Sequence, residues 1–167
     1  MGVDEHRGKA PKCVDFAVVT ISDTRTEADD HSGKTIVDLM VSSGHNCLRK
    51  AIVRDEIPAI QNILRELLED GSVRAVILNG GTGVAKRDIT LEALEDYHGK
   101  ELPGFGELFR SLSYQEIGSA AMMSRARAFV LEGKPVFCLP GSKNAVALAI
   151  SRLIAPELGH LVWEADR

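Results

Sequence analysis

The stretch NGGTGVAKRD, positions 79 to 88, carries the residue types best suited to chemistry on an anion. Its glycines let the main chain curl with N–H groups turned inward as a nest, and a helix beginning after it would add its positive end. Lys86 and Arg87 supply cationic donors, which makes Gly80, Gly81, Thr82, Gly83, Lys86 and Arg87 candidate phosphate-binding residues. Two familiar phosphate motifs do not fit. A Walker loop counted from Gly80 needs Gly-Lys and a hydroxyl residue, where this chain has Ala85, Lys86 and Arg87. The dinucleotide pattern GxGxxG fails because Lys86 stands where its last glycine belongs. A strand-to-helix turn with solvated charges remains the plain alternative.

Two carboxylates bear on the choice. Asp88 closes the loop and could be only a helix cap, worth about 0.5–2 kcal/mol. Asp55, in IVRDE, could be only an acid near a helix start. Beside polyphosphate, however, two such groups suit Mg²⁺, which takes one or two protein oxygens and leaves the remaining positions to phosphate and water. The other reactive types are less pointed. His6, His31, His45, His98 and His160 show no HExxH-like pairing and read as surface or packing residues. Cys13, Cys47 and Cys138 are widely spaced without a CxxC pair, as expected of buried free thiols in a reducing compartment. Asp29, Asp30, Glu95 and Asp96 read as solvated faces.

The elements that must position these residues alternate. VDFAVVTI (14–21) is a buried-strand run, and a polar loop leads to a helix that Ser32 is placed to cap and Gly44 to stop. NCLRKAIV (46–53) is a weaker strand. Pro58 suits a first helical turn, and Ile60, Ile63, Leu64, Leu67 and Leu68 follow as one apolar stripe. VRAVIL is the next buried strand, with a short helix expected over 89–97 after the glycine loop. PGFGELFRSLSYQEIG reads as a helix, ARAFVL and KPVFCL as strands joined at Glu132 and Gly133, and Pro140-Gly141-Ser142 as the entry to a last helix. Alternation of this kind points to a largely parallel sheet covered on both faces, which binds ligands at the carboxyl ends of its strands. Residues 22–32, 79–88 and 140–142, together with Asp55, are therefore expected on one rim.

Composition narrows the function classes. With 167 residues, the chain fits one domain (13–167) behind a flexible polar tail (1–12). A net charge of −4 argues against nucleic-acid binding, which needs a basic face. No apolar run approaches the roughly 20 residues that span a bilayer, and the N-terminus holds no hydrophobic signal core, so a cytoplasmic protein without a membrane partner is expected.

In this order, TISDTR, DDHSG, VILNGGTGVAKRD, PGFGELFRSLSYQEIG and LPGS resemble the MoaB/Mog family of molybdenum-cofactor biosynthesis over about residues 13 to 160. The resemblance implies a three-layer α/β sandwich with a largely parallel, mixed sheet, assembled as a homotrimer or homohexamer. It also implies Mg²⁺-dependent transfer of AMP from ATP to molybdopterin with release of pyrophosphate. Asp55 and Asp88 match the family's two important aspartates, as catalytic residues and metal ligands. SYQEIG is similar to the B-type branch, some members of which lack the first aspartate and the reaction; this chain retains it. Asn79 departs from the hydroxyl residue usual before GGTG.

On that reading the substrate's own phosphate oxygen is the nucleophile, and catalysis is positioning and charge neutralisation. Pro140, Gly141 and Ser142 would form a second anion site, unless Ser142 only caps its helix. Ser22, Asp23, Ser124 and Arg125 would line the pterin side, with surface or packing roles as the alternative. A downstream molybdenum insertase is a possible partner. Two other readings compete with the enzyme: a pterin carrier or assembly scaffold without turnover, and a nucleotide-binding regulatory domain for another pathway.

Overall fold

The computed structural model describes residues 8–167; residues 1–7 of the expected tail lie outside the described residues. The first apolar run forms strand β1 (Asp15–Ile21), and VRAVIL supplies β3 (Ala75–Asn79). Almost every residue in both strands is buried, as befits a sheet covered on two faces. The edge strand β2 (Asn46–Val53) pairs in parallel with one side of β1, and β3 pairs in parallel with the other. Beyond β3 come β6 (Lys134–Leu139), parallel to it, then β5 (Arg127–Leu131) and β4 (Gly99–Glu101), both antiparallel to their neighbours. The order β2-β1-β3-β6-β5-β4 makes one mixed sheet. Its strand order reverses between β1 and β3.

Side-chain alternation divides the core in two. Phe16, Val18 and Ile77 face one way, against α1 (His31–Ser42), α3 (Pro103–Ile117), α4 (Lys143–Ala149) and α5 (Ala155–Ala165). Ala17, Val19, Val76 and Leu78 face the other way, against α2 (Ile57–Glu69). The stripe Ile60, Ile63, Leu64, Leu67 and Leu68 is buried as its spacing requires, each fully buried side chain contributing about 1.5–3 kcal/mol. The three-layer α/β sandwich is thus realised. Between β5 and β6, Glu132 and Gly133 take φ of 50° and 77°, the pair of positive values that a tight hairpin demands.

Several local expectations are corrected. The helix expected over 89–97 is only a 3₁₀ turn, Glu92–Leu94. Thr90 donates its N–H to Gly81 O at 3.1 Å and its hydroxyl to Gly80 O at 2.7 Å, which folds the segment back onto the loop. The chain then leaves for β4, an edge strand too short and polar to show an apolar pattern. A second 3₁₀ stretch, Gly118–Met123, follows α3. The cap of α1 is Asp30 rather than Ser32. Cys138 is buried, but Cys47 is only half-buried and Cys13 is exposed. The segment before β1 is not wholly loose, because a Cβ at Gly159 would collide with the Pro11 carbonyl.

A π turn, Ile150–Ile154, joins α4 to α5. Pro156 has no N–H to return to the preceding turn, and Ala155 N–H reaches back to Ile150 O. The joined helix, Lys143–Ala165, is 23 residues long and, by length and hydropathy, sufficient to cross a membrane, with 33% of its most apolar window buried. Its inner residues Val146, Ile150, Ile154, Leu158 and Val162 belong to the core beneath the sheet.

Candidate functional site

The three loops and Asp55 meet where the strand order reverses, as a doubly covered sheet dictates. A cleft of about 360 Å³ lies there, lined by Ser22 and Asp23 after β1, Asp55 after β2, Gly80, Gly81, Arg87 and Asp88 after β3, and Gly141 after β6. A second lobe of about 360 Å³ opens on the other side of the glycine turn, lined by Thr82, Gly83, Ser124, Pro140 and Ser142. Gly81, Asp88 and Gly141 line both lobes. Lys86 is exposed and lines neither; Arg125 lies behind the loop. The residues expected on the pterin side are therefore divided, with Ser22 and Asp23 in the first lobe and Ser124 in the second.

The loop needs its glycines. Gly80 (φ 114°) and Gly81 (φ 66°) are left-handed, and a Cβ on Gly80 would lie 2.5 Å from the Ile21 carbonyl oxygen. Gly80 N–H donates to Leu139 O at 2.8 Å, tying the loop to β6. The amides of Gly81, Thr82 and Gly83 donate to no acceptor among the described residues, which leaves a bare row of N–H groups. The helix end expected to reinforce them is absent, so the nest rests on backbone amides alone.

Each carboxylate spends one oxygen on structure. Asp88 Oδ2 accepts from Ala85 N–H at 2.8 Å, capping its own loop instead of a helix. Asp55 Oδ2 accepts from Asp23 N–H at 3.0 Å, while Asp23 Oδ1 accepts from Asp55 N–H at 3.1 Å, a reciprocal pair that binds the first two rim loops together. Arg87 crosses the mouth to Asp23 Oδ2 at 2.8 Å. Partial burial pushes the Asp55 carboxyl above its ordinary range, against the Asp23 amide; the negative charges of Asp23 and Asp88 push it further, and Arg87 offsets part of this. Ser142 caps α4 by accepting from Ala145 N–H at 3.3 Å, so the capping alternative holds, and the same residue still lines the second lobe.

Beneath the cleft lies a polar network that sequence reasoning missed. Asp30 is 2% exposed, which corrects its reading as a solvated acid; Asp29 is exposed as expected. Asp30 accepts from Thr20 Oγ1 at 2.9 Å and from Gly33 N–H at 3.0 Å, and pairs with Lys50 Nζ at 3.0 Å. Asn79 donates through Nδ2 to Ser32 Oγ at 2.8 Å and Thr20 Oγ1 at 3.2 Å, so its amide does the work of a hydroxyl. Asn79 Oδ1 and Thr82 Oγ1 are buried without a protein partner among the described residues. The available signal was the spacing of Asp30 to the glycine amide three residues on, the reach of an N-cap side chain.

The donor set fits Mg²⁺. Asp55 and Asp88 offer hard oxygens to one cleft; burial is the main cause of the upward pressure on the Asp55 carboxyl, and a cation there would offset the smaller part that the charges of Asp23 and Asp88 add. Among the described residues no group of three or more His, Cys, Asp or Glu could hold a metal ion, so an ion held by Asp55 and Asp88 would need its remaining ligands from phosphate and water.

Residues 17–160 match the family described as "Probable molybdopterin binding domain". The chain is 50% identical over 165 residues to molybdenum cofactor biosynthesis protein B of Halalkalibacterium halodurans, covering 98% of this chain and 97% of that protein. The same figures hold for the Bacillus subtilis protein of that name. Among solved structures, one of a molybdenum cofactor biosynthesis protein B superposes with a TM-score of 0.90 at 48% identity, over 95% of this chain and 99% of that one. The tungsten cofactor synthesizing protein MoaB from Pyrococcus furiosus follows at a TM-score of 0.85 and 36% identity, over 95% and 100%.

Proposed function

Because the chain belongs to the MoaB/Mog family of molybdenum-cofactor biosynthesis proteins, we propose that it catalyses adenylylation of molybdopterin by Mg-ATP. The observation that supports this reading best is the meeting of Asp55, Asp88 and the bare amide of Gly81 in one cleft, with Thr82 and Gly83 lining the adjoining lobe that Asp88 also borders.

The chemistry asks no nucleophile of the protein. A phosphate oxygen of molybdopterin attacks the α-phosphorus of ATP, the bond from that phosphorus to the bridging oxygen breaks, and pyrophosphate departs with the electron pair. The amides of Gly81 to Gly83 cradle nucleotide phosphates, and their fixed dipoles meet the charge that grows on the equatorial oxygens. Arg87, which lines the cleft and pairs with Asp23, would offset that charge; Lys86, exposed outside both lobes, attracts the anion from outside. Asp55 and Asp88 would hold Mg²⁺, which when bound polarises the phosphates and neutralises the leaving group. The two lobes provide for two substrates on either side of the glycine turn, with Ser142 and Ser124 in the second.

Purified protein incubated with α-labelled ATP and molybdopterin is expected to release pyrophosphate and label the pterin only when Mg²⁺ is present. Binding of molybdopterin without release would make the chain a carrier, and failure to bind any pterin would favour the regulatory nucleotide-binding reading.

A further inference from the structure

We propose that Arg125 is the positioning residue of the glycine loop, holding the loop's carbonyls outward so that its amides and Asp88 face the cleft. The inference rests on reading that cleft as an anion site. A loop between strand and helix ordinarily takes its shape from the helix that follows, and here that helix is missing. Arg125 occupies its place. Its main-chain N–H donates to Thr82 O at 3.1 Å, its Nε to Gly83 O at 2.7 Å and its Nη2 to Asp88 O at 2.8 Å. The middle of the loop and its far end are therefore fastened to one residue outside it.

The consequence follows from peptide geometry. In a planar trans peptide the C=O and the next N–H point in opposite directions. Drawing the Thr82 and Gly83 carbonyls to Arg125 turns the N–H groups of Gly83 and Val84 away from it. Neither amide has another acceptor among the described residues. Arg125 lines neither lobe, so it acts through the loop and not on a ligand.

The guanidinium is itself held. Glu92 Oε1 accepts from Nη1 at 2.5 Å and Oε2 from Nη2 at 3.4 Å, and this pairing draws the Glu92 carboxyl below its ordinary range. Arg110 steadies the neighbouring backbone by donating to Ser124 O at 3.4 Å and Ala126 O at 3.2 Å. A planar fork with donors in three directions meets Gly83, Asp88 and Glu92 together; an ammonium at the end of a flexible stem does not.

The test uses Arg125→Ala, Arg125→Lys and Glu92→Gln in the full chain, with two independent readouts. Amide exchange followed by NMR is expected to accelerate at least tenfold at Ala85, Asp88 and Thr90, whose N–H groups bond within the loop, while β1 and β3 keep their protection. Calorimetric titration with ATP in Mg²⁺, and with pyrophosphate alone, is expected to show affinity at least tenfold weaker in both Arg125 variants. Methylguanidinium should restore part of this in Arg125→Ala, where sodium chloride of equal ionic strength does not. Unchanged loop exchange would overturn the proposal, as would loss of protection throughout the sheet, or Arg125→Lys matching the wild type. If the exchange result holds but the wild-type chain binds neither ATP nor pyrophosphate, the anion reading of the cleft fails and the positioning role stands.

Discussion

Asp55 pulls stability and function in opposite directions, whereas Asp88 serves both. Asp55 carries a charge that its surroundings resist, since burial and the neighbouring acids raise its carboxyl above the ordinary range. For an acid whose folded pKa is raised, the ionised form weakens the fold above that pKa, and the penalty fades as pH falls through it. Asp55→Asn keeps an oxygen for the Asp23 amide and removes the charge. Its thermal midpoint is expected above wild type at pH 7 to 8, with the gap closing toward pH 4, while adenylyl transfer is lost. Equal midpoints across that range would show that Asp55 bears no such strain. Asp88→Ala removes both a hard oxygen and the acceptor for Ala85 N–H. Turnover is expected to fall by about 10³-fold, with a stability cost of about 1 kcal/mol by urea titration. Wild-type turnover in this variant would remove Asp88 from the site.

At the scale of elements, the position of the site depends on how the first helix starts. Asp30 ends the loop after β1, caps α1 at Gly33 and reaches Lys50 on β2, so one carboxylate joins three elements directly below the cleft. Asp30→Ala leaves the cap empty and Lys50 without its partner; a loss of about 2–3 kcal/mol is expected, less than for a wholly enclosed pair because Lys50 keeps 30% of its side chain exposed. Urea unfolding of Asp30→Ala and Asp30→Asn separates the two contributions, since Asn retains the cap. What was legible in the sequence follows the same division. β1, β3 and α2 were plain because burial repeats at fixed spacing along them, and the rim followed from their alternation. The loop ends were not plain, because polar contacts have no period. Ser32 and Asp30 are both good caps, and only the three-dimensional position of Thr20 and Lys50 selects between them. The turn at Glu92–Leu94 was misjudged for a related reason: Thr90 answers to carbonyls of the loop, a contact invisible to helical spacing.

At the scale of the whole molecule, the surface makes its own demand. The outer face of α3 and the stretch after it leave Leu108 57%, Tyr114 63%, Ile117 60% and Met122 82% exposed, while Phe109 on the inner face is 1% exposed. Core packing thus accounts for Phe109 and not for Leu108, one position before it. Large apolar side chains left exposed on one helix and the stretch after it are what association between copies buries. A homotrimer or homohexamer, as proposed from the family resemblance, would have this surface to bury, and Met123 lies at the edge of the second lobe. Light scattering on the eluted protein is expected to give a mass of three or six chains. Leu108→Lys with Ile117→Lys should reduce it to one chain, because lysines brought together there would be buried unpaired. Circular dichroism and urea unfolding of the separated chain should then show a sheet that is folded but less stable. If the double variant keeps the wild-type mass, the contact lies elsewhere on the surface, and the exposed face of α3 needs another explanation.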